Sequence, residues 1–215
     1  MNEVRSMKNM KDYLIDIFNE YKSKYPELKI WLSDNAVSQS WGMGVMPAYS
    51  LEPYSCELLG SKSGRMLKKK DCSPAVNRHK YFMDINNNII GIVIYADFVD
   101  VHKEWIVYRE FYFRKDNEVI GLLFGSTFEN DDDANLNRVI LVKLDGDIIT
   151  DSYTYSDDNR FTAKKYLYKD NVITNIELRM WLGTYFERYY NIETEPTLKI
   201  TENTSEGLIQ IYPSN

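Results

Sequence analysis

The chain has 215 residues, a formal net charge of −6 and a hydrophobic content of 44%. A chain of this length fits a single domain, here 1–215, and its apolar content excludes a disordered protein because a core can be buried. The acidic balance argues against a primary role in binding nucleic acid, whose phosphates attract basic surfaces.

Residues 1–26 are predicted to contain an amphipathic helix. Pro26 is expected to end it, because the residue before a proline is pushed out of helical geometry. Acidic residues alternate with lysines on the polar face, which argues against an anionic membrane surface. The helix is therefore expected to pack on a sheet through one apolar stripe, formed by Met7, Met10, Tyr13, Leu14, Ile17, Phe18 and Tyr21.

Residues 27–78 lose this periodicity and are predicted to be an irregular segment. The stretch "SQSWGMGVMPAYSLEPYS" combines two Gly, two Pro, two Met and Trp41. Such a segment either covers one end of a sheet or lines a pocket, because Met and Trp adapt well to contact surfaces.

Residues 79–215 are predicted to form an antiparallel β meander. A polar Asp/Asn/Gly turn followed by a β-branched pair occurs four times, in "DINNNIIG", "KDNEVIG", "LDGDIIT" and "KDNVITN". Asp, Asn and Gly tolerate the positive φ angles that tight hairpin turns require. The predicted fold is therefore α+β and mainly antiparallel β, with about ten strands and the N-terminal helix packed on the sheet.

No motif identifies a catalytic or metal centre. The two histidines, His79 and His102, are both predicted to be surface residues at strand ends. The acidic stretch "DGDIITDSYTYS" lacks the ligand spacing of a calcium loop, and "GSKSGR" lacks the end of a phosphate loop. No metal and no cofactor is therefore predicted.

Two charge runs depart from the average. Residues 61–80 contain seven Lys/Arg and one Asp, a local charge of +6, which leaves nucleic acid open as an alternative partner. Residues 129–158 contain nine acidic and two basic residues, a local charge of −7. A run of this kind either solvates loops or steers a charged partner.

Compartment is inferred from the N-terminus and the cysteines. The first residues lack the apolar stretch of a signal peptide, and the longest apolar run, "IIGIVIYADFV", is too short for a membrane-spanning helix. Only Cys56 and Cys72 are present. Reduced thiols and a cytoplasmic protein with no membrane partner are expected.

The hairpin region resembles known bacterial proteins. The stretch "YTYSDDNRFTAKKYLYKDNVITNIE" is similar to the tyrosine–aspartate repeats of Rhs proteins and to the MORN-like repeats of small bacterial antitoxin proteins. The acidic, single-domain composition also resembles that of immunity proteins of polymorphic and contact-dependent toxin systems.

This resemblance implies a protein that neutralises a cognate toxin, such as a nuclease, by forming a tight complex. Acidic side chains would stand in for phosphates and aromatic side chains would anchor the complex. The residues expected to bind the partner are Glu129, Asp131, Asp132, Asp133, Asp145, Asp147, Asp157, Asp158, Trp41, Tyr153 and Tyr155.

Two other functions stay open at this point. A β-rich protein could bind a small apolar ligand in the sheet interior or beside Trp41. A hydrolase could use His79 or His102 with a carboxylate.

Overall fold

The computed structural model describes residues 2–69 and 72–214, without the side chains of residues 2–6. Two α-helices precede one continuous antiparallel sheet. The helices are α1 (Asn2–Tyr21) and α2 (Tyr25–Asn35), and a single 3-10 turn spans Glu57–Leu59. The strands are β1 (Ser38–Met43), β2 (Arg65–Met66), β3 (Arg78–Met83), β4 (Ile89–Val99), β5 (Glu104–Lys115), β6 (Glu118–Phe128), β7 (Leu136–Asp145), β8 (Ile148–Ser156), β9 (Phe161–Lys169), β10 (Val172–Leu182), β11 (Thr184–Glu193), β12 (Lys199–Thr204) and β13 (Gly207–Tyr212).

The fold class is confirmed, but the number of strands is not. The described residues form thirteen strands, not about ten. The three additional strands are β1, β2 and β11. From β3 to β13 each strand pairs with the next one along the chain, and β1 and β2 extend the sheet beyond β3.

The helical region differs from the predicted boundaries. Pro26 does not end the N-terminal helix, since α1 ends at Tyr21 and Pro26 lies in the first turn of α2. Proline is tolerated there because the first helical N–H groups have no partner inside the helix. The segment 27–78 is consequently not irregular throughout, because it contains most of α2 as well as β1 and β2.

The four repeated turns all lie at one end of the sheet. Each repeat spans two antiparallel strands, so consecutive turns return to the same end. The predicted turn chemistry is confirmed, because each turn contains a residue with positive φ: Asn87, Asp116, Gly146, and the pair Asp170 and Asn171. We call this the turn end, and the opposite end, which carries the loops 100–103, 129–135 and 157–160, the loop end.

Both faces of the sheet are covered, by different kinds of structure. Helices α1 and α2 cover one face through Leu14, Ile17 and Tyr25, which pack against Phe111 and Phe124. We call this the helix-covered face. A Cβ at Gly91 would lie 2.6 Å from the Leu32 side chain, so this glycine allows α2 to approach β4 closely.

The opposite face is covered by the segment 44–64, and we call it the loop-covered face. Leu51 packs there with Tyr81, Ile92 and Val142. A Cβ at Gly121 would lie 2.7 Å from Leu51, so here too a glycine makes room for the covering chain. A second apolar cluster on this face lies farther along the sheet and contains Tyr166, Ile176, Tyr190 and Ile200, with Tyr54 and Leu58 beside it.

Candidate functional site

Five of the acidic residues expected to bind a partner are exposed together at the loop end. The loop between β6 and β7 carries three of them and the loop between β8 and β9 carries two. The two loops are adjacent, because Asp157 donates its N–H to the Asn137 carbonyl at 3.0 Å. The five residues are Asp131, Asp132, Asp133, Asp157 and Asp158.

Neighbouring elements hold the longer loop in place. The Lys29 ammonium of α2 donates to the Asp131 carbonyl at 2.7 Å and pairs with Asp132 at 2.8 Å. The Asn130 N–H donates to Glu104 at 2.8 Å, which ties the loop to β5. The Thr127 hydroxyl donates to the Asp133 carbonyl at 2.8 Å. The carboxylates are thus displayed on an anchored loop.

Asp145 and Asp147 are exposed but lie elsewhere. They flank Gly146 in the β7–β8 hairpin, at the turn end. The sheet therefore separates them from the other five carboxylates by the length of the strands. A single partner surface at the loop end does not reach them.

The three aromatic residues expected as anchors are packed in the protein. Trp41 is 6% exposed and stacks on Tyr95 with ring centroids 5.8 Å apart. Tyr155 is 7% exposed and meets Phe18 of α1 edge to face. Tyr153 is partly buried on the same face. Burial leaves Trp41 and Tyr155 with almost no surface to offer a partner, so the anchor role predicted for them does not fit this structure.

Glu129 is also engaged within the chain. The Tyr95 hydroxyl donates to its carboxylate at 2.8 Å, and its backbone carbonyl accepts from buried Arg109 at 2.7 Å. Burial, together with the hydrogen bond to Glu129, raises the pKa of Tyr95. Glu129 therefore joins the loop to the sheet.

Apolar surface missed by the sequence reasoning lies beside the acidic loops. Val101, in the β4–β5 loop, is 90% exposed. Phe98 is partly exposed and packs on Trp105 with centroids 5.1 Å apart, while His102 packs on Phe128. The loop end therefore combines carboxylates with a small apolar tip.

The prediction that both histidines are surface residues is wrong for His79. Its side chain is fully buried on the loop-covered face beside Tyr81, and neither ring nitrogen has a hydrogen-bond partner among the described residues. Burial lowers the pKa of His79 from 6.5 to about 4. His102 is exposed in the β4–β5 turn, as predicted.

A cavity of about 350 Å³ lies on the loop-covered face, next to the second apolar cluster, whose Leu178 and Tyr190 contribute to its lining. Strands β7 to β11 form its floor, and the segment around Glu52, Ser55 and Leu58 forms one wall. Among the described residues, four cations and one carboxylate, that of Glu52, line it. The cations are Arg138, Arg160, Lys164 and Arg188.

Glu52 is the centre of a buried polar network beside this cavity. Its carboxylate accepts from the Ser152 hydroxyl at 2.7 Å and pairs with the Lys164 ammonium at 3.0 Å. The Ser152 hydroxyl also lies 3.1 Å from the Tyr166 hydroxyl. Burial acts to raise the pKa of Glu52, but Lys164, Ser152 and Arg138 outweigh it and lower that pKa. Glu52 is therefore ionised at neutral pH.

Arg138 is less well satisfied. Its Nε atom is buried and has no hydrogen-bond partner among the described residues. It lies near enough to Glu52 and Glu110 to lower the pKa of both carboxyls. Burial still dominates at Glu110, so the pKa of that group is raised overall.

Other kinds of site find no support in the described residues. Residues 2–69 and 72–214 hold no group of three or more His, Cys, Asp or Glu side chains arranged to bind a metal. Neither described helix is long and apolar enough to cross a membrane. Cys56 and Cys72 are both free thiols. Lys70 and Asp71 of the basic run 61–80 lie outside the described residues.

Comparison with known proteins finds no similar protein. No protein-family model, no curated protein and no solved structure shows a significant match to this chain.

Proposed function

We propose that the protein binds and neutralises a cognate toxin, with the loop end as the contact surface. The observation that carries this proposal is the grouping of five exposed carboxylates in two neighbouring loops, beside the β4–β5 loop that exposes Val101. Carboxylates in this arrangement favour a partner with a basic surface, such as the substrate cleft of a nuclease. The resemblance of the hairpin region to Rhs and antitoxin repeats, and of the acidic, single-domain composition to immunity proteins, supports the same function.

The charges and the apolar tip would contribute in different ways. Exposed carboxylates mainly accelerate association with a basic partner, and salt screens this effect. Apolar side chains that become buried in a complex supply most of the affinity. Val101 and Phe98 take the place of Trp41 and Tyr155 as the proposed anchors.

The function is tested by a growth assay. The reading frame adjacent to the gene is expressed in bacteria with and without this protein. Growth arrest by the neighbour alone, relieved by co-expression with formation of a stable complex, is the expected result. A harmless neighbour, or arrest that persists despite co-expression, would contradict the proposal.

The contact surface is tested with two variants of equal charge change. Asp131→Lys with Asp133→Lys reverses two charges at the loop end, and Asp145→Lys with Asp147→Lys reverses two at the turn end. We expect the first variant to slow association with the toxin by about tenfold at low salt, and the second to leave the rate nearly unchanged. Equal effects of both variants would remove the loop end from the proposal.

A small-ligand function has one observation in its favour, the cavity beside Glu52. A hydrolase based on His79 has none, because the two ring nitrogens of this enclosed side chain have no carboxylate partner among the described residues.

A further inference from the structure

The cavity of the loop-covered face is positive in an acidic protein. Its lining carries four cations and one carboxylate, a formal charge of +3, while the whole chain carries −6. The four cations come from β7, from the β8–β9 loop and from β9 and β11. Strands β7, β9 and β11 are every second strand of this part of the sheet and present Arg138, Lys164 and Arg188 on one face, beside Arg160 of the loop. Their charges therefore reinforce one another in a partly enclosed space.

The chain's own carboxylates satisfy these cations unevenly. Lys164 pairs with Glu52 in a buried contact, whereas Arg160 pairs with Asp158 in an exposed one. Arg188 lies 3.5 Å from Glu202 and is 48% exposed. Arg138 keeps a buried Nε that has no acceptor among the described residues. A buried donor without an acceptor is costly, so an anion in the cavity would relieve that cost.

The remaining lining is suited to an organic group as well as to an anion. Hydroxyls of Thr154, Ser156 and Thr162 lie on the floor beside the cations. Leu178, Met180 and Phe186 add apolar surface. Arginine forks bind phosphate oxygens in pairs, and hydroxyls donate to the same oxygens. A volume of about 350 Å³ lies within the range of small-molecule sites.

We propose that this cavity binds a small organic phosphate, a phosphate monoester of about nucleotide size. Arg188 and Lys164, which lie in one row of the sheet two strands apart, hold the phosphate group, Arg138 adds positive charge from the far side of the cavity, and the apolar floor holds the organic part. Glu52 keeps Lys164 in position. This site adjoins the proposed contact with a toxin at the β8–β9 loop, where Arg160 lines the cavity and pairs with Asp158. The rest of its lining lies on the strands and in the covering segment, not in the acidic loops.

The test measures binding of defined probes to the full chain by calorimetry and thermal unfolding. The probes are AMP and phenyl phosphate, with adenosine and inorganic phosphate as controls for each half of the ligand. We expect AMP and phenyl phosphate to bind and to raise the unfolding temperature, and both controls to bind at least about tenfold more weakly. No binding of AMP or phenyl phosphate at millimolar concentration would overturn the proposal.

Three variants locate the binding. Arg188→Gln and Arg138→Gln each remove one charge from the cavity, and Arg65→Gln removes one from the exposed strand β2 as a matched control. We expect each cavity variant to weaken AMP binding by about tenfold, and Arg65→Gln to leave it within about twofold. Because Arg188 is half exposed, its variant keeps the fold and the test stays interpretable.

Other outcomes would also overturn the proposal. Equal losses in Arg65→Gln and Arg188→Gln would indicate nonspecific attraction of anions. Inorganic phosphate that binds as tightly as AMP would show that the organic part is not recognised. A phosphoserine peptide that binds more tightly than AMP, through the same arginines, would assign the cavity to a phosphorylated protein.

Discussion

The two faces of the sheet bury similar strands beneath different covers. On the helix-covered face, Phe111 and Phe124 are fully buried against Leu14 and Tyr25. The backbone groups within a helix are hydrogen-bonded to one another, so its apolar stripe can pack on a sheet without leaving those groups buried and unpaired. The loop-covered face lacks this advantage, because the backbone groups of a covering loop need partners. The Ala48 N–H, for example, donates to the Tyr81 hydroxyl at 2.8 Å.

Two arginines illustrate the same difference. Arg109, at the edge of the helix-covered face, donates to the Tyr25 hydroxyl and to the Glu129 carbonyl. Arg138, on the loop-covered face, has a buried Nε with no partner among the described residues. Arg109 is thus satisfied beneath the helices, whereas the loop-covered face keeps the Arg138 Nε available, as far as the structure describes the chain. This difference predicts what substitutions on each face cost.

The largest effect is expected on the helix-covered face. Phe124→Ala should lower the free energy of unfolding by about 3–5 kcal/mol, because it removes a fully buried ring and leaves a cavity. Urea denaturation measures the change. Leu208→Ala, at a position 67% exposed, is the control and should change stability by less than about 0.5 kcal/mol. A small loss at Phe124 would mean that the core beneath the helices is not closely packed.

The next largest loss of stability is expected for the buried ion pair between Glu52 and Lys164 on the loop-covered face. Glu52→Leu should cost about 3 kcal/mol, since it leaves the Lys164 ammonium buried without its carboxylate. The double variant Glu52→Leu with Lys164→Leu should recover most of this loss, because no buried charge then remains unpaired. Denaturation of both variants decides the matter. Equal losses in the single and double variants would show that the pair itself is not the source of the cost.

His79 predicts a dependence of stability on pH. Its pKa is about 4 in the folded chain and 6.5 in the unfolded one. Above about pH 6.5 the imidazole is unprotonated in both the folded and the unfolded state. Between about pH 6.5 and pH 4 only the unfolded state binds the proton, so the free energy of unfolding decreases as the pH falls through this range.

The expected loss between about pH 7 and pH 4.5 is about 2–3 kcal/mol. Urea denaturation at a series of pH values measures it. His79→Leu should reduce the dependence by that amount, because leucine does not titrate. An unchanged pH dependence in the variant would show that His79 is solvated and titrates normally.

Local chemistry made much of the fold predictable from the sequence. The hairpin turns depend on residues within each turn, and Asn87, Asp116 and Gly146 have the positive φ expected of them. Alternation also accounts for the face of β5, since Val107, Arg109 and Phe111 occupy every second position and all point to the helix-covered face. Signals of this kind lie within a few neighbouring residues.

Features that depend on irregularity or on distant residues were not predictable. A bulge between Ile173 and Asn175 places Ile173 and Ile176 in one cluster, although simple alternation puts them on opposite faces. The cavity joins Glu52 to residues as distant in sequence as Arg188, which only the order of the strands brings together. The acidic run 129–158 is likewise divided between the two ends because it spans β7 and β8.

The smallest change in stability is expected for Arg188. It shows whether the cost of removing a charge depends on how buried the charge is or on its position in the cavity. Arg188 lines the same cavity as Lys164, but it is 48% exposed and its contact with Glu202 is 3.5 Å long. Water screens such a pair, so Arg188→Gln should change the free energy of unfolding by less than about 1 kcal/mol. A loss of stability as large as that of Glu52→Leu would mean that the ion pair between Arg188 and Glu202 stabilises the fold despite its exposure. A small loss leaves Arg188 free to serve a ligand, because a charge retained at little benefit to folding is available for binding.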